Sequence, residues 1–187
     1  MRFVTSADRV EGLPLSEAEV AIVGRSNVGK SSLVNALGRA KKLAKVSGTP
    51  GRTRLLNLFA VDGGGSIVDL PGYGYAQASK RDRAAWQAMT EDYLVRRDGL
   101  AMVIVLVDGA VGPTPLDADM LDWLRHHQIP HTVVATKHDK VKSSKRARRQ
   151  RDLAAGCQLD PGDVVWVSAR TGVGVDRLRR LVLSWLD

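Results

Sequence analysis

The chain has a single cysteine, Cys157, so no internal disulfide and no cysteine zinc cluster can form, and the one i, i+4 pair among its four histidines, His127 and His131, has Pro130 between its members and is not a helical metal pair. The only metal expected is one that accompanies a ligand. Long hydrophobic runs are also missing. The longest strongly apolar stretch, residues 100–107, is far shorter than the roughly 20 residues that span a bilayer, and the N-terminal MRFVTSADRV is too polar for a secretory leader. A soluble, cytoplasmic chain without a membrane partner is the expectation. No Pro/Ser-rich linker, low-complexity tract or internal repeat divides the 187 residues, and 44% hydrophobic content suffices for a sizeable core. One domain over residues 1–187 is expected, monomeric, with a short N-terminal extension at residues 1–18.

Acid is absent from two stretches. Lys140, Lys142, Lys145, Arg146, Arg148, Arg149 and Arg151 follow one another without a carboxylate, as do Arg39, Lys41, Lys42, Lys45, Arg52 and Arg54. Removing the first seven from the net charge of +8 leaves +1, and removing the other six leaves −5, so the positive charge is concentrated. Concentrated charge suits a polyanion. RNA fits better than a membrane, because neither stretch carries the large apolar residues of a membrane-lying helix. A solvated helix face beside a loop would give the same pattern.

What is present begins at GRSNVGKS. Gly24, Arg25, Ser26, Asn27, Val28, Gly29, Lys30 and Ser31 follow the pattern of Gly, four residues, Gly, Lys, then Ser or Thr that marks a phosphate-binding loop. Its setting agrees: Val20, Ala21, Ile22 and Val23 read as a buried strand, and Leu33, Val34, Ala36 and Leu37 carry helical spacing. A strand thus feeds a helix N-terminus through glycines. Successive backbone N–H groups, with the helix dipole behind them, can then surround a polyphosphate. In that arrangement Lys30 reaches the outer phosphates and Ser31 ligates Mg²⁺.

Further along, helices and strands alternate. Leu56, Leu58 and Ala60 alternate through a strand, Asp62-Gly63-Gly64-Gly65 turns, and residues 66–70 return as its antiparallel partner. Trp86, Met89 and Tyr93 mark one face of a helix. Residues 100–107 are apolar on both faces, as in a strand inside a parallel sheet, and Thr114-Pro115-Leu116-Asp117 resembles a capping box opening a helix to about residue 128. Residues 132–135 and 164–167 read as strands, the basic segment as a helix from Ser143 or Ser144, and the stripe of Val175, Leu178, Leu181, Val182 and Trp185 as a core-facing helix. This order implies a three-layer α/β/α sandwich on a mostly parallel, six-stranded sheet with one antiparallel edge strand. Residues 41–54 and 71–79 read as loops.

A phosphate loop does not select a base; TKHDK does. Asp139 follows a strand and can accept from both N1–H and the 2-amino group of guanine, donors that adenine lacks. Lys137 would lie along the ring, and Ser168-Ala169, after the last strand, would offer a backbone N–H to guanine O6. In Asp69-Leu70-Pro71-Gly72, Asp69 can hold Mg²⁺ through water and the Gly72 N–H can sense a γ-phosphate, while Thr53 can close over the metal. Loops ordered by that phosphate and released after its loss form a switch.

GRSNVGKS, GTPGRTR, VDLPGYGYA, TKHDK and SAR together resemble the EngB family of ribosome-biogenesis GTP-binding proteins, within the TrmE-Era-like GTPases, over nearly the whole chain. The resemblance implies a P-loop GTPase fold, GTP binding and hydrolysis, association with the large ribosomal subunit or its rRNA during assembly, and a link to cell division and septation. It places the phosphates on residues 24–31, with Gly51, Arg52, Thr53, Arg54, Leu55, Asp69, Leu70, Pro71 and Gly72 around the nucleotide. Ser31, Thr53 and Asp69 (through water) serve Mg²⁺, and Thr136, Lys137, His138, Asp139, Ser168, Ala169 and Arg170 hold guanine. Lys30, Thr53, Gly72 and Asn27 are the catalytic candidates. His138 departs from the family's usual small residue, and residues 109–112 from its charged turn. Tyr73 stands where Ras-like proteins have a water-orienting glutamine, so slow hydrolysis is expected. Asn27 is similar to the residue by which some relatives hold K⁺, although a loop-stabilising amide would look the same. Two other readings stay open: an RNA-binding assembly module in which GTP reports occupancy, and a signalling switch with a protein effector.

Overall fold

A computed structural model describes residues 1–40, 42–44, 55–74 and 79–187. Its strands and helices follow from side-chain period. In β2, after the first strand β1 (Arg2–Ala7) and spanning Glu19–Gly24, Val20 and Ile22 face one layer while Ala21 and Val23 face the other, all four sealed from solvent. Helix α1 (Lys30–Leu37) follows, then the hairpin of β3 (Leu56–Ala60) and β4 (Ser66–Asp69), and α2 (Lys80–Arg96). The rest alternates: β5 (Leu100–Asp108), α3 (Pro115–His126), β6 (His131–Thr136), α4 (Arg146–Gly156), β7 (Val165–Trp166) and α5 (Val175–Leu186).

The strands form one sheet in the order β1-β3-β4-β2-β5-β6-β7. β4, β2, β5, β6 and β7 run parallel, and β3 is antiparallel to both of its neighbours. Ile22, Ile67, Ile104, Leu106 and Val134 pack with Leu33 and Val34 of α1 and Leu178 and Val182 of α5. Val23, Val68, Val105 and Val133 pack on the other side with Tyr93 of α2, Leu121 and Leu124 of α3 and Leu153 of α4. The expected three layers are present. Truncating any one of these sealed side chains to alanine costs about 2–5 kcal/mol.

The sheet has a seventh strand. Residues 1–18, expected as an extension, contribute β1, which pairs with β3 and covers it, so the antiparallel strand lies one place in from the edge. A register shift between Phe3 and Thr5 breaks the alternation that would have announced the strand. Phe3 meets Phe59 edge to face at 5.7 Å.

At the amino ends of the parallel strands lies a buried ionic cluster. Glu19 accepts from Arg97 Nη2 at 2.7 Å, Arg97 Nε at 2.9 Å and the Tyr93 hydroxyl at 2.6 Å, and Arg97 also donates to the Pro14 carbonyl. Both Glu19 carboxylate oxygens and the Tyr93 hydroxyl have partners, as burial demands, and the end of α2 is pinned to the start of β2. Among the described residues no helix is long and apolar enough to cross a membrane.

Candidate nucleotide-binding site

The carboxyl ends of β2, β4, β5, β6 and β7 open onto one rim, where ligands of open α/β sheets bind. Gly24 ends β2, and residues 25–29 lead into α1 at Lys30. Gly29, at φ 111°, takes a left-handed turn that aims the first N–H groups of α1 back over the loop, and Asn27 is left-handed too, at φ 64°. A Cβ at Gly24 would stand 2.9 Å from that of Leu106, so the loop leaves the sheet flush against β5. Lys30 is buried with its ammonium 3.8 Å from Asp69 Oδ1, and Ser31 follows in the first turn.

Asp69 ends β4, 2% exposed, and its Oδ1 has no hydrogen-bond partner. Burial pushes this carboxyl up, against the pull of Lys30. A buried carboxylate oxygen left orphaned beside the phosphate loop fits a hydrated divalent cation, since such an atom otherwise carries a desolvation cost of about 1–3 kcal/mol. Among the described residues no three histidine, cysteine or acidic side chains converge on a metal. Leu70 and Pro71 are buried, Gly72 half-buried, and Leu55, just before β3, exposed. Gly51, Arg52, Thr53 and Arg54 lie outside the described residues.

The residues expected on the base side meet at the ends of β6 and β7. Thr136 donates its hydroxyl to the Val28 carbonyl at 2.7 Å, joining this loop to the phosphate loop. Lys137, left-handed at φ 56°, does the same with its ammonium, 2.9 Å from the Asn27 carbonyl and 2.6 Å from Asp108 Oδ2. Asp139 accepts from the Ser168 hydroxyl at 2.6 Å and from Arg170 Nε at 2.8 Å. These two donors, Ser168 foremost, hold its carboxyl below the usual range, so it is an ionised acceptor at neutral pH. Ser168 is sealed from solvent and Ala169 half-buried beside it. His138 packs edge-on to Trp166 at 5.6 Å, with its Nδ1 buried and without a partner; burial and Arg146 lower its pKa.

Two acids that the sequence did not single out as part of the site organise it. Asp108, the last residue of β5, binds Lys137 and accepts from the N–H groups of Ala110 and Val111. Burial would raise its carboxyl, but the ammonium and the two N–H groups outweigh that and hold it low. An acid closing an otherwise apolar strand was the available signal. Asp117 does cap α3, accepting from the Thr114 N–H at 2.8 Å, and it also accepts from Arg25 Nε at 3.0 Å and the Tyr73 hydroxyl at 2.9 Å. No local pattern reveals those two partners.

The basic helix α4 lies beside this rim, one strand beyond β5. Lys145, Arg148 and Arg151 are exposed, Arg148 stands 3.5 Å from Asp152, and the half-buried Arg149 donates to the Val111 carbonyl.

Known proteins resemble this chain over most of its length. Residues 19–137 match a family profile described as 50S ribosome-binding GTPase. A curated protein of Pelotomaculum thermopropionicum named "Probable GTP-binding protein EngB" is 45% identical over 186 residues, covering 98% of this chain and 94% of the relative. Among solved structures, the crystal structure of a probable GTP-binding protein EngB superposes with a TM-score of 0.72 at 22% identity over 90% of this chain and 98% of the other, a likeness of fold. Era in complex with MgGDPNP and nucleotides 1506–1542 of 16S ribosomal RNA gives 0.70 at 25% identity, over 93% of this chain and 58% of Era. With the profile spanning the phosphate loop through Lys137 and the curated relative aligned almost end to end, the chain belongs to the EngB family of P-loop GTPases.

Proposed function

We propose that this chain is a single GTP-binding domain over residues 1–187 that hydrolyses GTP slowly and acts in the cytoplasm as a monomeric switch in assembly of the large ribosomal subunit, with a link to cell division and septation. One observation carries the reading: the phosphate loop, the orphaned Asp69 and the ionised Asp139 follow the carboxyl ends of parallel strands β2, β4 and β6 of one sheet, the rim on which a nucleotide's phosphates, cation and base would lie. The profile's description as ribosome-binding supports the partner, and the exposed charge of α4 supplies a surface for its rRNA.

In the reaction, water attacks the γ-phosphorus in line and GDP leaves. The N–H groups of residues 26–31 and the Lys30 ammonium neutralise the charge on the leaving β–γ bridge. Gly72 N–H donates to a γ-phosphate oxygen, and Asp139 with Ala169 N–H fixes guanine. Mg²⁺, held by Ser31, by Asp69 through water and by Thr53, would supply charge neutralisation between the outer phosphates. Tyr73 carries no amide to orient the water, so slow turnover is expected; Asn27, exposed in the loop, would favour K⁺ beside the phosphates.

The test is co-sedimentation with purified ribosomal subunits in a GTP analogue, GDP or no nucleotide. Binding to the large subunit that is strongest with the analogue is expected, and replacing Arg148, Arg149 and Arg151 by Gln should weaken it and reduce the slope of log affinity against log salt by about 0.7–0.9 per lost phosphate contact. Equal pelleting in all three nucleotide states would refute the switch, and an unchanged salt slope would remove α4 from the interface.

A further inference from the structure

Asp117 is fully buried at this rim, and its bonds join three elements rather than one. Oδ2 accepts from Arg25 Nε at 3.0 Å, the Thr114 N–H at 2.8 Å and the Thr114 hydroxyl at 2.8 Å, and Oδ1 accepts from the Tyr73 hydroxyl at 2.9 Å. A helix cap needs only the Thr114 bonds. The other two reach the phosphate loop, 92 residues away in sequence, and the segment after β4, 44 residues away.

Tyr73 is held at both ends. Its carbonyl accepts the Ser26 N–H at 2.9 Å and its N–H donates to the Gly24 carbonyl at 3.3 Å, so the segment after β4 runs along the phosphate loop as a short parallel extension of the sheet. Leu116, beside Asp117 in the first turn of α3, covers the next residue: a Cβ on Gly74 would stand 2.7 Å from its Cδ1. The residue between β4 and this anchorage is Gly72, where a Cβ would lie 3.2 Å from Lys30 Nζ and 3.2 Å from the Ser26 nitrogen. The chain at Gly72 is therefore already against the ammonium that serves the outer phosphates.

We propose that Asp117 is a positioning residue for the γ-phosphate: through Tyr73 it latches Gly72 in place beside Lys30, and through Arg25 it sets the opposite wall of the same pocket. The proposal rests on the reading of Gly72 as the group that contacts the γ-phosphate. Its physical content is preorganisation. A segment already docked loses little freedom when the terminal phosphate arrives, so the latch favours nucleoside triphosphate over diphosphate without touching either. Burial, with the charge of Asp117, pushes the Tyr73 phenol far above its usual range, which keeps it a donor at every pH the protein meets.

The experiment compares Kd for GDP and for a non-hydrolysable GTP analogue, with Mg²⁺, in the wild type, Tyr73→Phe, Asp117→Asn and Gly72→Ala. Tyr73→Phe removes one hydroxyl and leaves Asp117 three donors, so it decides the matter even if Asp117→Asn fails to fold. Expected for Tyr73→Phe is an analogue affinity weaker by about two- to tenfold, the worth of one hydrogen bond, with GDP affinity unchanged. A merely structural loss would weaken both nucleotides together. If Gly72→Ala changes the analogue-to-GDP ratio and Tyr73→Phe does not, or tightens the analogue, the latch is wrong. If Gly72→Ala leaves the ratio unchanged, the assignment of Gly72 falls and takes the latch with it.

Discussion

Replacing Asp108 by Asn tests whether the two halves of the site are tied as the structure indicates. Asp108 is 6% exposed and its partner Lys137 is 28% exposed along the side chain, with the ammonium 2.6 Å from Oδ2. Asn keeps an oxygen for the N–H groups of Ala110 and Val111 but removes the charge opposite Lys137. A hydrogen bond between charged groups contributes about 1.5–3 kcal/mol, and the solvent that reaches Lys137 places the loss near the lower end, about 1.5–2 kcal/mol. For a chain of 187 residues that lowers Tm by about 3–8 °C. The assay is thermal unfolding of Asp108→Asn, Lys137→Met and the double variant, with and without GDP. Because Lys137 also holds the Asn27 carbonyl, the GDP-induced rise in Tm should shrink in each single variant, and the pair should be coupled by about 1 kcal/mol or more. Additive effects within about 0.5 kcal/mol, or an Asp108→Asn variant that melts with the wild type, would refute the tie.

Asp139→Asn should weaken GTP binding and shift preference toward xanthosine nucleotides, because the amide donates where xanthine presents a carbonyl; competition that still favours GTP as in the wild type would remove Asp139 from base recognition. Stability should also fall on the acid side. Asp108 and Asp139 both have lowered folded pKa values, so their contribution is complete above the unfolded value of about 3.9 and is lost as pH drops through the lower folded ones. Urea unfolding followed below about pH 4 should therefore show a steep decline that Asp108→Asn makes shallower, and parallel curves would count against the assignment.

Much of the candidate site could be read from the sequence because the residues expected to bind are contiguous. GRSNVGKS and TKHDK each put their groups on one turn, and a turn after an apolar run marks a strand end without knowledge of the fold. The links between those turns could not be read. Thr136 with Val28, Lys137 with Asp108, and Asp117 with Arg25 and Tyr73 are contacts between distant segments, set by which strands are neighbours. Asp117 shows the limit well: its role as a cap is local and legible, and its two other bonds depend on β4, β2 and α3 converging. β1 escaped for another reason. In RFVTSA only Val4 and Ala7 turn toward the core, and the register shift at Phe3 and Thr5 leaves no period of two to detect.

The cluster of Glu19, Tyr93, Arg97 and the Pro14 carbonyl makes α2 a lever. Its fulcrum is the buried carboxyl end, where Thr90, Tyr93 and Leu94 are packed, and its free arm is the opening half, where Arg81, Asp82, Arg83, Ala84 and Ala85 all face solvent. The whole helix, at 17 residues, is about 25 Å long, so a tilt of about 10° about its buried end carries its first residue about 4 Å. The tip is the end joined to the segment that runs past Gly72 and Tyr73. A shift of that segment therefore tilts α2 about its buried end, and a bulky particle seated on the exposed half would sense the state of a pocket that it never enters.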